Sequence, residues 1–261
     1  MSGKVMLSFD VEEFDLPREH GGKISVEEGV EVSAEGLKKI LELLEKYKVK
    51  ATFFVTGNFA KCQPGLVKRI VKEGHEVACH GVDHFEPKLT DVAQSKKIVE
   101  KVAGVKVQGY RQPRMFKIDY KELEKCGYVY DSSVNPAWVP GRYNHRKEPR
   151  KPYMCGGVVE VPVSVASGMR VPLFWLALHL FPVWLYKKMA KLALAETDYF
   201  ATYFHPWEFA NLKPYGMIPG YIKMNSGDAL VARLESVIVG LKKYKFITFE
   251  EFVKNYKGSL K

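Results

Sequence analysis

Residues 50–80 read KATFFVTGNFAKCQPGLVKRIVKEGHEVACH. Lys50 to Val55 is β-branched and aromatic, the composition of a buried strand. Pro64 then opens a segment in which Leu66, Val67, Ile70 and Val71 share one helical face, and Gly74 closes it before a second strand, His75 to Cys79. The same alternation extends outward. Upstream, Lys4 to Phe9 predicts a strand, and Ser33 predicts the N-cap of a helix carrying Leu37, Ile40, Leu41 and Leu44. Downstream, helices are predicted over Asp91 to Val102, Tyr120 to Cys126 and Ala229 to Tyr244. Strands are predicted over Val105 to Tyr110, Val158 to Val163, Tyr199 to Phe204 and Phe246 to Thr248. Strand–helix alternation of this kind predicts an α/β fold, its strands parallel and its helices outside, in an open sheet or a barrel. Asn135 to Tyr153 breaks the pattern with Pro, Gly, Arg and Tyr, and reads as a long loop on the functional face.

A chain of 261 residues is within what one core can serve, so a single domain over 1–261 is expected. Hydrophobic residues at 46% and charged residues at 27% describe a folded globular protein. The formal charge of +10 comes from dispersed lysines such as Lys38, Lys39, Lys46 and Lys48, with no arginine block. That pattern describes a solvated surface and no nucleic-acid partner. Cys62, Cys79, Cys126 and Cys155 form no CxxC pair, so reduced thiols are expected. Acidic residues stand where a signal peptide needs an apolar core, which points to the cytoplasm. Residues 171–186, VPLFWLALHLFPVWLY, fall short of the roughly 20 needed to span a bilayer. They read as a buried or surface-docking segment, with peripheral membrane contact as the sharper alternative. No oligomer is specified by the pattern.

Polar groups gather at predicted strand ends. In SFDVEEF, strand alternation puts Asp10 and Glu12 on one side and Glu13 on the other. In HEVACHGVDH, the four-residue spacing predicts His80 and His84 on one face of a helical turn, as a divalent metal requires. His75 lies at the opposite end of its strand and reads as structural, and Cys79 as core. Arg111 in GYRQPR, Asp131 in YVYDSS and His205 in YFHPWEF each follow a strand. Five such groups on one rim point to an active site, because α/β folds build sites at the carboxyl ends of strands.

With these residues the chain resembles the polysaccharide deacetylase family of carbohydrate esterases. SFDVEE stands at the family's first motif, HGVDH at its second, RQPR at its third, DSS at its fourth and HPWE at its fifth. The match runs from Ser8 to about Glu208 and is most similar to the subgroup associated with bacterial exopolysaccharide loci. The resemblance implies a distorted (β/α) barrel of about seven parallel strands with outer helices. It implies Asp10 as catalytic base, Arg111 orienting it, and His205 as general acid paired with Asp131. It also implies a divalent metal, zinc first among the candidates, on His80, His84 and an acidic residue of the first motif. Where the family has two adjacent aspartates, Val11 separates Asp10 from Glu12 here. Alternation favours Glu12 as ligand and leaves Glu13 open.

The expected reaction is removal of N-acetyl groups from an N-acetylated carbohydrate, with Trp138 and Tyr143 of the long loop available to stack on a sugar. An allantoinase-like amidohydrolase acting on a small cyclic amide or ureide is the second reading. A carbohydrate-binding protein without catalysis is the third.

Overall fold

The computed structural model describes all residues except 1, 2, 89, 141, 142, 167, 169, 260 and 261, and only the backbone of Tyr143. The strands are β1 (Lys4–Val11), β2 (Thr52–Val55), β3 (Glu76–Cys79), β4 (Gly109–Tyr110), β5 (Tyr130–Asp131), β6 (Trp138–Val139), β7 (Tyr143–Asn144), β8 (Tyr153–Cys155), β9 (Val158–Glu160), β10 (Tyr199–Phe204) and β11 (Lys245–Phe246). One curled sheet runs in the order β10-β1-β2-β3-β4-β5-β9-β8, and β11 pairs with the start of β1. Along this path every pair from β10 to β9 is parallel, and β8 turns back antiparallel on β9. The sheet forms a half-barrel. Its two sides meet at Ser164, which exchanges hydrogen bonds with the backbone of Ala201 at 2.8 and 3.0 Å in place of a full ladder.

Strand parity divides the core. Val5, Leu7, Phe9 and Val11 of β1 face the outer helices, while Met6 packs inside with Phe54, Tyr130 and Phe249. Ser8 and Asp10 share the parity of Met6 and are buried within. The C-terminal helix Phe249–Ser259 closes the far end, its first residue stacked against Tyr130 at 6.0 Å.

The first long helix is Val26–Tyr47, capped by Ser25, whose hydroxyl accepts from Glu28 N at 3.0 Å. The expected cap, Ser33, lies inside this helix and donates to the Glu12 carbonyl at 2.6 Å. The helix begins earlier than its leucine pattern because Val30 already packs in the core. Gly36 is required by a close approach: a Cβ there would lie 1.8 Å from the Pro206 carbonyl oxygen. That contact seats the helix on the turn carrying His205.

Other boundaries shift modestly. The helices Pro64–Lys72, Asp91–Ala103 and Asp228–Leu241 lie where expected, whereas β4 and β5 are only two residues long. The loop from 135 to 153 contains the small β6–β7 hairpin. The apolar stretch 171–186 splits at Phe181-Pro182 between the helices Trp175–Leu180 and Val183–Thr197. Among the described residues no helix is long and apolar enough to cross a membrane.

Candidate active site

Because β1, β3, β4, β5 and β10 run parallel, the residues at their carboxyl ends converge on one rim. Glu12, one residue past β1, brings Oε2 to 3.2 Å from His80 Nε2 and 3.0 Å from His84 Nε2. The three ligand atoms lie within 4.8 Å of one another, and all three residues are buried. Glu13 turns away, as alternation requires. Its carboxylate accepts from the Thr56 hydroxyl at 2.8 Å, and burial pushes its pKa up to about 7.

The histidine pair is not helical. Residues 80–84 form an irregular turn in which Gly81 takes φ +68°. The Gly81 and Val82 carbonyls accept from Gly57 N and Asn58 N, at the start of the neighbouring helix, so the turn's hydrogen bonds go outward. The rings still meet, stacked with centroids 5.6 Å apart. His80 Nδ1 is 2.8 Å from the Arg111 carbonyl, which makes it the N–H donor and leaves the Nε2 lone pair toward Glu12. His84 Nδ1 lies 2.9 Å from Asp15 Oδ2, and Arg114 grips that same oxygen at 2.9 Å while its Nε donates to the His84 carbonyl at 3.1 Å.

Two imidazole lone pairs and a carboxylate oxygen repel unless a proton or cation sits among them. Burial opposes charge on Glu12, but His84 and His205 outweigh it and hold the carboxyl well below the usual range. Burial likewise disfavours a charged His84, yet Glu12 and Asp15 raise its pKa well above the ordinary value. The residues fit a divalent ion: two neutral nitrogens, one carboxylate, and outer partners that fix both rings.

Beside this group Asp10 Oδ1 accepts from Arg111 Nη1 at 2.6 Å, the pairing that the resemblance implied. Arg111 is fully buried and satisfied. It also donates to Ser8 Oγ at 2.9 Å, to the Ser132 carbonyl at 2.9 Å and to Ser132 Oγ at 3.0 Å, and its guanidinium lies 4.0 Å over the Phe54 ring.

Asp131 does not pair with His205. Its carboxylate folds back onto Ser133, accepting from the backbone N at 3.0 Å and from Oγ at 2.9 Å. It is paired with the carboxyl of Glu160: burial raises the pKa of both, the hydrogen bond with Glu160 works against the rise at Asp131, and Asp131 pushes Glu160 further up. The partner of His205 is Glu208, three residues on, where a short 3₁₀ turn after β10 brings Oε1 to 2.8 Å from Nδ1 and 2.6 Å from the His205 backbone N. The other oxygen, Oε2, is 2.8 Å from Nε2 of fully buried His179, whose Nδ1 donates to the Met224 carbonyl at 2.6 Å. Burial opposes charge on both His205 and Glu208, but Glu12 and then Glu208 raise the imidazole pKa, while hydrogen bonds to His179 and His205 lower the Glu208 carboxyl pKa.

His205 Nε2 faces Glu12 Oε1 at 3.8 Å, and Trp207 Nε1 donates to that oxygen at 3.1 Å while its ring stacks on His205 at 4.9 Å. Trp175 stands edge-on to His205, His179 and Trp207. Sequence reasoning missed Asp15, Arg114, His179 and Glu208. Arg114 and Glu208 stood inside quoted motifs and Asp15 directly after SFDVEEF, whereas His179 was concealed in an apolar stretch. Of the two aromatic candidates in the long loop, Trp138 is 48% exposed beneath the Arg146 guanidinium, and the Tyr143 side chain lies outside the described residues.

Residues 4–130 match the family model described as polysaccharide deacetylase, and residues 132–254 match a domain of unknown function, DUF3473. The chain is similar to the peptidoglycan-N-acetylmuramic acid deacetylase of Bacillus subtilis, 35% identical over 127 residues that cover 44% of this chain and 47% of that protein. It is also similar to the peptidoglycan-N-acetylglucosamine deacetylase of Bacillus cereus, 40% identical over 110 residues that cover 40% of this chain and 46% of that protein. Each match therefore spans less than half of the relative's length. In three dimensions the fold is similar to that of Puue allantoinase, with TM-score 0.66 and 14% identity over 98% of this chain and 90% of that one. Residues 4–130 are thereby identified as a polysaccharide deacetylase domain, and the curled parallel sheet carries its strands on to the segment matched by DUF3473.

Proposed function

We propose that the chain is a divalent-metal-dependent hydrolase that removes N-acetyl groups from an N-acetylated sugar or polysaccharide. The observation that carries this is the buried meeting of Glu12, His80 and His84, with Asp10–Arg111 on one side and His205–Glu208 on the other. Glu12, His80 and His84 would hold the ion, for which zinc fits the donor set. When bound, the ion supplies Lewis-acid polarisation of the acetamide carbonyl and acidifies a water.

The chain's own residues do the rest. Arg111 holds Asp10 by Oδ1, leaving Oδ2 to take the proton from the attacking water. His205 presents Nε2 to the site because Glu208 holds Nδ1, and the Glu208 carboxylate favours the imidazolium that protonates the leaving amine. Glu208 fixes the ring and stabilises its positive charge, and His179 holds Glu208 from behind. The water oxygen bonds to the acetyl carbon as one proton passes from water to Asp10, the C–N bond breaks as one passes from His205 to the amine, and acetate and an amino sugar leave.

Both sequence relatives are named for deacetylation of N-acetylated sugars, which favours a sugar over the ureide of an allantoinase. The catalytic set also favours turnover over mere binding. A panel of N-acetylhexosamine oligomers and cyclic ureides, assayed for acetate release and ring opening, separates the readings. Acetate from the sugars is expected. Ring opening of the ureide without any acetate would sink the proposal. We also propose one domain over residues 1–261, on the ground that β1 and β10, from the two matched segments, are adjacent in one sheet.

A further inference from the structure

The helix Val183–Thr197 is apolar on two sides. Tyr186, Ala190, Ala193 and Leu194 fill the core. On the opposite face Trp184, Lys188, Lys191 and Leu192 recur at helical spacing, all exposed, with Trp184 65% and Leu192 46% accessible. Leu180, 42% accessible at the end of the preceding helix, and Met224, 51% accessible, are further exposed apolar side chains. The segments that carry them are tied together by side chains, since the Met224 carbonyl accepts from His179 Nδ1 at 2.6 Å and Asn225 Nδ2 donates to the His179 carbonyl at 2.7 Å. The helix bears no carboxylate before Glu196, which is ion-paired with Arg150.

We propose that this face docks peripherally on an anionic lipid bilayer. Three observations select that occupant. A large indole and leucines set among lysines match the boundary between acyl chains and headgroups. The face is cationic on a chain of net charge +10, which complements anionic headgroups. A helix of 15 residues, about 22 Å long, is suited to lying along a bilayer rather than crossing it. Leu180 follows His179, whose ring is bonded to Glu208, so the docked face adjoins the wall behind His205. The proposal stands apart from the deacetylase reading, because binding is measured without substrate.

The test is vesicle flotation with phosphatidylcholine alone and with added phosphatidylglycerol. The folded chain is expected to float with the anionic vesicles. Trp184→Ser with Leu192→Ser lowers the partition coefficient by about tenfold or more. Lys188→Gln with Lys191→Gln also lowers it by about tenfold or more. Removing the same charge from another helix, with Lys97→Gln and Lys101→Gln, leaves most of the binding in place. Thermal melts of each variant confirm folding. Three results overturn the proposal: no flotation with anionic vesicles, equal loss in the Lys97 and Lys101 variant, or a wild-type dimer in light scattering that the Trp184 and Leu192 variant dissolves.

Discussion

Glu208 Oε1 lies 2.8 Å from His205 Nδ1, and its second oxygen lies 2.8 Å from His179 Nε2, so one buried carboxylate joins two histidines. If this carboxylate orients His205 and stabilises its charge, Glu208→Gln lowers kcat by about 100-fold with KM nearly unchanged. Asp131→Asn, which alters the Ser133 and Glu160 contacts, changes thermal stability more than kcat. Steady-state kinetics on both variants decides. A Glu208→Gln enzyme with wild-type kcat would remove Glu208 from the mechanism.

The Asp15–His84 contact at 2.9 Å fixes the ring nitrogen that faces Glu12. Losing such an outer partner typically weakens a metal site, so Asp15→Asn is expected to reduce zinc affinity by about 10- to 100-fold. Competition against a chromophoric chelator measures it. Unchanged affinity would mean that the ring needs no such support.

Arg111 is buried with its charge facing Asp10. Arg111→Leu leaves that carboxylate buried and unpaired, and should cost about 3–5 kcal/mol in urea unfolding. Adding Asp10→Asn should recover part of the loss, because it removes the orphaned charge. If the double variant is no more stable than the single one, the ion pair is not the source of the effect.

Glu13 is buried with Oε1 lacking a hydrogen-bond partner, and its pKa is raised from 4.5 to about 7. Between those values the folded state binds more protons than the unfolded state, so the contribution is full below pH 4.5 and is lost as pH rises through about 7. Wild type should lose roughly 3 kcal/mol relative to Glu13→Gln across this window, at matched metal load. Denaturant unfolding at several pH values reads the difference. A pH-independent gap between the two proteins would contradict the raised pKa.

The parts of this molecule written locally were legible. Pro64 begins its helix and Gly74 follows its end, and the apolar runs at β1, β2, β3 and β10 gave parallel strands whose common end carries the site. Strand parity favours Glu12 over Glu13 without excluding the latter, and the contacts follow it, Glu12 toward His80 and His84 and Glu13 toward Thr56. The misreadings have a common physical source in long-range packing. Ser33 reads as a cap until its hydroxyl finds Glu12, and the His80–His84 spacing reads as helical until the Gly81 and Val82 carbonyls pair with another helix. The helix Val183–Thr197 lacks clear amphipathic periodicity because its outward face sets Trp184 and Leu192 among lysines. His179 acquires a role only when folding sets it against Glu208, 29 residues away. The histidine–glutamate part of the site lies in the segment matched by the domain of unknown function, while Glu12, His80 and His84, the group that could hold a metal ion, lie in the deacetylase match.

The central claim is tested most directly by acetate release from an N-acetylglucosamine oligomer as zinc is returned to metal-stripped protein. Wild type should be compared with Glu12→Gln, His80→Ala and Glu13→Gln. Wild type and Glu13→Gln are expected to regain activity with added metal, whereas Glu12→Gln and His80→Ala stay near zero. Acetate release that ignores metal, or a Glu12→Gln protein that recovers while Glu13→Gln does not, would contradict the account.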